Sequence, residues 1–232
     1  MTIFLSLPFR TNIANRIIGL IGYKASYLRQ PARPDDTMTA QTQKRTIRQQ
    51  ILANRDELPP GTRAAYNATI AARLTAMPEY QRAKVVLGYM NFGSEFASEL
   101  WVKQVLADGK KLILPRANPL TKHLELYQVE NCETQLAPGL WGIREPIVEL
   151  CAGVFSPSEV EFILLPGVAF TRDGARLGYG GGFYDRLLAG IQHRPSLVAG
   201  AFSTQVVQQL PQIATDRKVE WLVTEKETIH CT

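Results

Sequence analysis

The stretch EFILLPGVAFTRDGARLGYGGGFYDRLLAG, from Glu161 to Gly190, combines an apolar run, a glycine-rich segment and a second apolar pattern. The run from Val160 to Phe170 predicts one buried strand, and FYDRLLAG predicts a helix that begins after Gly182. Between them, four of the five residues 178–182 are glycines. Glycines let backbone N–H groups converge on an anion, and a helix start favours negative charge. The stretch therefore predicts an anion site, although a tight glycine turn without a ligand is also compatible.

The glycine segment matches neither common nucleotide-binding template. A Walker loop needs GxxxxGK[ST], and a GxGxxG fingerprint counted from Gly178 would place its third glycine at Phe183. A phosphate loop of another type remains, with Arg176 as the nearest cation. Asp185 would repel bound phosphates unless a cation lay between them, which favours a magnesium nucleotide. A carboxylate in the first turn of a helix is also stabilising without any metal.

Apolar strands and helices alternate along the rest of the chain. Helices are predicted from about Thr39, over Thr62–Met77 and over Ser98–Asp108, and strands over Ala83–Met90, Lys111–Arg116, Ser196–Phe202 and Trp221–Thr224. This order predicts an α/β protein with three layers, α/β/α, and a largely parallel central sheet. Residues 39–232 are predicted to form a single domain. Residues 1–38 are interpreted as an N-terminal extension that is disordered or that results from a start codon assigned too early. Because the extension lacks acids up to Pro34 and carries arginines, a transit-type targeting segment is the third interpretation.

Composition narrows the function classes. The 232 residues carry a net charge of +5, but residues 1–34 are basic and contain no acid, so the remainder is nearly neutral and we expect no nucleic-acid partner. The apolar runs are too short to span a membrane, so no membrane partner is expected. Three cysteines without CxxC spacing argue against a disulfide framework or zinc site and favour the cytoplasm. We expect a monomer or a weak homodimer.

A basic cluster, KRTIRQQILANR, lies in the first predicted helix. Lys44 and Arg48 are one helical turn apart and point the same way, with Arg55 near the same face two turns on. These side chains form either a second phosphate clamp or an ordinary solvated face.

RLGYGGGFYDRLL, preceded by LPGVAFTRDG, resembles the signature of the 5-formyltetrahydrofolate cyclo-ligases, also called methenyltetrahydrofolate synthetases. The resemblance extends over residues 43–225, in chain order, to KRTIRQQIL, LGYMNFGSEFAS, LILPR, WGIREP and TDRKVEWLVTE. It implies an isomerase/CoA-transferase-like fold and an ATP-dependent, Mg²⁺-requiring cyclisation of 5-formyltetrahydrofolate to 5,10-methenyltetrahydrofolate. The implied route phosphorylates the formyl oxygen, after which N10 attacks, and ADP and phosphate are released.

The resemblance also implies roles for individual residues. It implies ATP binding by two segments, which are Lys44, Arg45, Thr46, Ile47 and Arg48, and Arg176, Leu177, Gly178, Tyr179, Gly180, Gly181, Gly182, Phe183 and Tyr184. It implies catalytic roles for Arg176 and Tyr184, and magnesium ligation by Asp185 and Asp216. It implies folate contacts by Tyr89, Glu95, Trp141 and the loop residues Tyr179, Gly180, Gly181, Gly182 and Phe183. For Trp141, a place in the core is an equally compatible interpretation.

Two other classes of protein remain as alternatives. A sugar-phosphate isomerase or CoA-transferase relative would bind phosphates without ATP and would not need Asp185 and Asp216 together. An RNA-binding module would use the basic N-terminal half, but residues 39–75 contain only Tyr66 among aromatics, too few for base stacking.

Overall fold

The computed structural model describes residues 39–212 and 217–232. Its helices are α1 (Ala40–Asp56), α2 (Pro60–Ala76), α3 (Pro78–Arg82), α4 (Ser98–Ala107) and α5 (Phe183–Ala189). Its strands are β1 (Val85–Leu87), β2 (Lys111–Asn118), β3 (His123–Val129), β4 (Leu136–Pro138), β5 (Arg144–Pro146), β6 (Phe162–Leu164), β7 (Ala169–Thr171), β8 (Arg176–Leu177), β9 (Ser196–Gly200), β10 (Val206–Val207), β11 (Trp221–Val223) and β12 (Thr228–His230).

The central sheet of the described residues has seven strands in the order β12-β11-β9-β6-β1-β2-β3. The five inner strands run parallel to one another, and β12 and β3 pair antiparallel at the two edges. This arrangement confirms the predicted α/β class with a largely parallel central sheet.

Side chains of the inner strands alternate between two apolar cores. Val86 and Phe162 point into the core that also holds helices α2, α3 and α4. Their neighbours Leu87 and Ile163 point to the opposite face, where Leu187 of α5 packs. Because successive residues of a strand face opposite sides, both faces of these strands are buried and each strand reads as a continuous apolar run. This double burial is why the strands were predictable from the sequence.

Helix α1 packs against a smaller three-stranded sheet, β10-β7-β8, rather than against the central one. Its N-terminus is capped by Thr39, whose hydroxyl accepts a hydrogen bond from the backbone N–H of Thr42 at 3.3 Å. Ile51 anchors the helix in an apolar cluster with Val168 and Leu177. The packing places the helix beside the segment that leads into the glycine loop.

The prediction of one strand over Val160–Phe170 is wrong. The chain leaves the central sheet after β6, turns at Pro166 and Gly167, and enters β7 of the smaller sheet. Proline has no N–H to give to a ladder, and a side chain on Gly167 would meet the Phe170 ring at 2.5 Å. The turn lets the β7–β8 hairpin return Arg176 to Pro166, at the carboxyl edge of the central sheet.

Strands β3, β4, β5, β8, β10 and β12 and the short helix α3 were not predicted. Strand β3, HLELYQV, is half exposed and its apolar residues alternate with polar ones, so it lacks the continuous apolar run of the inner strands. It pairs along its whole length with β2. Together with β5 it closes one side of the opening at the carboxyl edge, since residues of β2, β3 and β5 line the cavity described next.

Candidate active site

A cavity of about 570 Å³ opens at the carboxyl edge of the central sheet, where ligands of such sheets bind. It is lined by most of the residues that the sequence implicated, namely Lys44, Arg48, Tyr89, Glu95, Trp141, Arg176, Leu177, Gly178, Tyr179, Gly180, Gly181, Gly182, Phe183, Tyr184 and Asp185. These residues come from α1, from the segments after β1 and β4, from β8, and from the glycine loop with α5. The structure therefore joins segments that lie more than a hundred residues apart.

The glycine loop needs its glycines for backbone reasons. Gly180 and Gly182 have φ angles of 102° and 69°, in the region that favours glycine. A side chain on Gly181 would meet the ring of Phe183 at 2.8 Å. The loop thus presents bare backbone to the cavity, and Gly182 is the N-cap residue of α5.

Arg48 contacts this loop directly from α1. Its Nε donates a hydrogen bond to the carbonyl oxygen of Gly178 at 2.7 Å, and its guanidinium lies 3.6 Å from where a Gly180 side chain would begin. Partial burial lowers the pKa of Arg48. The predicted juxtaposition of Lys44 and Arg48 is therefore observed, since both line the same cavity.

The three residues between them do not line the cavity. Arg45 is exposed and does not line the cavity. Thr46 and Ile47 line a separate depression of about 370 Å³ with residues near Leu210. Within the 44–48 segment, only Lys44 and Arg48 line the cavity, because they lie one helical turn apart on the same face of α1.

Arg176 and Asp185 form an ion pair at the edge of the cavity. The Arg176 side chain is only 5% exposed, and its Nη2 lies 2.5 Å from Asp185 Oδ1. Its Nη1 also donates to the carbonyl oxygen of Pro166 at 3.2 Å. In this structure, the positive charge beside the Asp185 carboxylate is therefore supplied by a protein side chain, Arg176.

The magnesium prediction concerned Asp185 and Asp216. Among residues 39–212 and 217–232, no group of three or more His, Cys, Asp or Glu side chains is arranged to hold a metal ion. Asp216 lies outside the described residues. Asp185 is 41% exposed and engages Arg176 through one carboxylate oxygen. A single accessible carboxylate suits Mg²⁺, which commonly combines one or two carboxylates with waters and nucleotide phosphates.

Glu95 is a carboxylate buried in the cavity wall, only 5% exposed. Its Oε2 accepts a hydrogen bond from the backbone N–H of Phe92 at 2.7 Å, whereas Oε1 has no partner within the described residues. Burial raises the pKa of Glu95, and the Phe92 N–H, the Tyr179 hydroxyl and the Arg55 guanidinium oppose that rise. A buried carboxylate oxygen without a partner is a candidate acceptor for a ligand N–H.

Tyr89 and Tyr184 face the same carboxylate. Burial, and then the charge of Glu95, raise the pKa of both hydroxyls far above 10. Both tyrosines therefore stay protonated at neutral pH and can donate hydrogen bonds.

Trp141 lies at the rim of the cavity, 62% exposed, so the alternative that placed it in the core is wrong. Its backbone has φ 58° and ψ 19°, a conformation that non-glycine residues rarely adopt. Its ring meets Phe183 edge to face, with centroids 6.0 Å apart. The left-handed backbone places the Trp141 ring against Phe183, the residue that follows the glycine loop.

Sequence reasoning assigned no role to three residues that line the cavity, Phe92, Arg144 and Glu145. They fall inside LGYMNFGSEFAS and WGIREP, segments already noted for other residues. Glu145 accepts a hydrogen bond from the Ala117 N–H at 3.2 Å, and burial raises its pKa.

Arg55, which the sequence grouped with Lys44 and Arg48 as a phosphate clamp or a solvated face, is instead buried and does not line the cavity. It lies behind the wall, where its Nη2 donates to the Tyr179 hydroxyl at 3.0 Å.

The model of the 5-formyltetrahydrofolate cyclo-ligase family matches residues 40–225. The chain belongs to this family. The 5-formyltetrahydrofolate cyclo-ligase of Haemophilus influenzae is 31% identical over 172 residues, covering 73% of this chain and 91% of that protein. The mouse 5-formyltetrahydrofolate cyclo-ligase is 27% identical over 195 residues, covering 81% of this chain and 96% of that protein.

A solved relative of this cyclo-ligase family shares the fold. The NMR structure of Aquifex aeolicus 5,10-methenyltetrahydrofolate synthetase superposes with a TM-score of 0.71 at 34% identity, covering 81% of this chain and 92% of that one. The predicted family and its ligase class are confirmed. Within the described residues, no helix is long and apolar enough to cross a membrane. The cytoplasmic location stays a prediction.

Proposed function

We propose that this cyclo-ligase converts 5-formyltetrahydrofolate and ATP to 5,10-methenyltetrahydrofolate, ADP and phosphate. The observation that supports it is the single cavity in which the basic side chains of α1 and the bare glycine loop face a buried carboxylate and aromatic rings. A phosphate-binding end and a ring-binding end in one cavity suit a reaction that joins a nucleotide to a flat heterocycle.

We assign the phosphates of ATP to the end formed by Lys44, Arg48, Arg176 and the glycine loop. Arg48 holds the loop through Gly178 and keeps its remaining guanidinium donors for phosphate oxygens. The loop brings no lysine or arginine of its own, so these three side chains supply the positive charge at this end. Arg45, Thr46 and Ile47 support the helix rather than contact the nucleotide.

We assign the pteridine ring to the end formed by Glu95 and the aromatic residues. The free oxygen of Glu95 accepts a ring N–H, and Tyr89 and Tyr184 donate hydrogen bonds to ring oxygen or nitrogen. Trp141 and Phe183 cover the flat face of the substrate.

The reaction requires positioning and charge neutralisation. The formyl oxygen bonds to the γ-phosphorus as the bond to the β-phosphate oxygen breaks, releasing ADP. N10 then attacks the activated formyl carbon and loses its proton, and the phosphate leaves with the formyl oxygen. Arg176, which is nearly buried, stabilises charge on the transferring phosphoryl group, and Tyr184 donates a hydrogen bond rather than acting as a base.

Magnesium fits this site through Asp185, with Asp216 as the second ligand expected from the sequence. When bound, Mg²⁺ neutralises phosphate charge. Asp185 would hold the ion through the carboxylate that contacts Arg176 in this structure. We further propose that the protein acts without nucleic-acid or membrane partners, as a monomer or weak homodimer in the cytoplasm.

The direct test mixes purified protein with 5-formyltetrahydrofolate and MgATP and follows the near-ultraviolet absorbance of the methenyl product. We expect product at a rate that depends on ATP and on Mg²⁺, with one ADP formed per product. Absence of product, or equal product without ATP, would contradict the proposed function. An ATP-independent isomerisation or CoA transfer would leave both the absorbance and the ADP signal unchanged.

A further inference from the structure

We infer that Arg55 is a positioning residue for folate recognition, which holds Tyr179 and Glu95 in place from behind the cavity wall. The inference rests on the proposed function, in which Glu95 binds the pteridine ring. Arg55 lies in the last turn of α1, is 2% exposed, and does not line the cavity. It therefore acts through other side chains and not by touching the substrate.

Full burial of a guanidinium is rare because the charge loses its hydration. Arg55 recovers part of that loss through two hydroxyls. Its Nε donates to Ser94 Oγ at 2.9 Å, and its Nη2 donates to the Tyr179 hydroxyl at 3.0 Å. Its Nη1 has no hydrogen-bond partner within the described residues. Because burial costs the guanidinium its hydration, an apolar side chain would be less costly at this position. The presence of an arginine here therefore needs an explanation other than stability.

Both hydroxyls belong to neighbours of Glu95, one in the chain and one in space. Ser94 precedes it in the chain and also donates to the carboxylate of Asp56, which ties the segment to the end of α1. Tyr179 comes from the glycine loop, and its ring packs edge to face on Phe92 with centroids 5.9 Å apart. The Tyr179 oxygen accepts from Arg55, and the hydroxyl lies near the Glu95 carboxylate, whose pKa it lowers. One guanidinium thus fixes both neighbours of the carboxylate.

The same arrangement controls the charge of Glu95. The titratable groups that face it are Tyr89, Tyr179, Tyr184 and Arg55. The three tyrosines are neutral because burial raises their pKa, whereas the positive charge of Arg55 lowers the pKa of Glu95. Removal of Arg55 therefore raises the pKa of Glu95. Folate binding that needs the ionised Glu95 carboxylate is lost as the pH falls through the pKa of Glu95. Without Arg55 that pKa is higher, so folate binding is lost at a higher pH.

The test compares steady-state kinetics of the full chain carrying Arg55→Met, Arg55→Lys or Tyr179→Phe. Tyr179→Phe removes only the hydroxyl and keeps the ring on Phe92. The matched control is Arg63→Met, because Arg63 braces the same end of α1 through the carbonyl oxygens of residues 55, 56 and 58. KM for 5-formyltetrahydrofolate, KM for ATP, the pH profile of kcat/KM and Tm are measured for each.

We expect Arg55→Met to raise KM for 5-formyltetrahydrofolate about tenfold or more, the effect of losing one hydrogen bond to a charged group. KM for ATP should change by less than about threefold, because Arg55 does not line the cavity and the lost hydrogen bond lies beside the folate-binding carboxylate. The acid limb of kcat/KM for the folate should move to higher pH in Arg55→Met and in Tyr179→Phe, with partial recovery in Arg55→Lys. Arg63→Met should lower Tm and leave both the KM for the folate and the acid limb unchanged.

The inference is overturned if Arg55→Met lowers Tm while the KM for the folate and the acid limb stay at wild-type values, or if Arg63→Met reproduces its kinetic effects. If Arg55→Met does not fold, Arg55→Lys and Tyr179→Phe decide in the same way. Failure of the proposed function has a different signature, since the wild-type chain would then form no methenyl product at all.

Discussion

Arg48 and Arg45 lie on the same helix, and the structure predicts opposite consequences when each is changed to methionine. Arg48 reaches the glycine loop, where its Nε donates to the Gly178 carbonyl oxygen at 2.7 Å. Arg45 is exposed and does not line the cavity. Methionine keeps an unbranched, helix-compatible side chain at both positions, so α1 itself is preserved. Any difference between the two variants then reports on the cavity.

The expected magnitude follows from the contact. A hydrogen bond from a charged donor contributes about 1.5–3 kcal/mol, and each 1.4 kcal/mol is tenfold. Loss of the Nε donor alone should therefore lower kcat/KM for ATP about 10- to 100-fold by this conversion. Loss of a cation facing the phosphates adds to that reduction. Arg48→Lys keeps the charge without the Nε donor, so its kcat/KM for ATP should lie between the wild-type and Arg48→Met values.

The assay follows the methenyl absorbance at varied ATP with saturating 5-formyltetrahydrofolate, with Tm measured for each variant. Arg45→Met should remain within about twofold of wild type, in line with the small effects of surface substitutions. The reasoning is refuted if Arg45→Met and Arg48→Met lose kcat/KM for ATP equally, or if Arg48→Met changes Tm alone. Equal losses would mean that the whole segment, and not one face of it, binds the nucleotide.

Two further predictions concern the metal and the hairpin. Asp185→Asn should lower activity, and raising Mg²⁺ should restore part of it; full activity at low Mg²⁺ would exclude a metal role. The control is Glu159→Gln, because Glu159 is an exposed carboxylate that does not line the cavity. Gly174→Ala should reduce the free energy of unfolding by at least ~2 kcal/mol, because Gly174 has φ 86° and an added side chain would meet the Val219 carbonyl oxygen at 2.2 Å. Gly109→Ala is the matched control, because Gly109 has φ 70° but an added side chain would meet nothing within 4 Å. Its free energy of unfolding, measured by urea titration, should fall by only about 1 kcal/mol. Equal losses in the two variants would refute the clash at Gly174.

The sequence predicted those parts of the fold whose signal is local. The inner strands are continuous apolar runs because both faces of the sheet are covered, and α1, α2 and α4 were placed within about two residues. The error at Pro166 arose because an apolar run on both sides of a turn looks like one long strand. Only the tertiary structure shows that the second half pairs with β8 and β10.

The candidate site divides in the same way. The glycine loop and the carboxylate after it were recognised from adjacent residues, and resemblance supplied Glu95 and Trp141. The ion pair of Arg176 with Asp185 was missed although only nine residues separate them, because it depends on the β7–β8 hairpin folding back to Pro166. The contact of Arg55 with Tyr179 spans 124 residues and leaves no local pattern.

One feature of the site follows from the sequence without any tertiary information, namely which basic residues of α1 face the protein. At 3.6 residues per turn, Arg48 lies about 40° and Arg55 about 20° from Lys44 around the helix axis, whereas Arg45 lies about 100° away. Ile51, the apolar residue that most needs burial, lies about 20° from Lys44 on the other side and is 6% exposed. If the direction of Ile51 is taken as the side of α1 that faces the protein, then Lys44, Arg48 and Arg55 lie on that side. Arg45 does not. The basic residues Lys44, Arg48 and Arg55 therefore do not form a solvated face of α1. They form one basic face whose depth increases along the helix, from Lys44 and Arg48 in the cavity to Arg55 behind its wall.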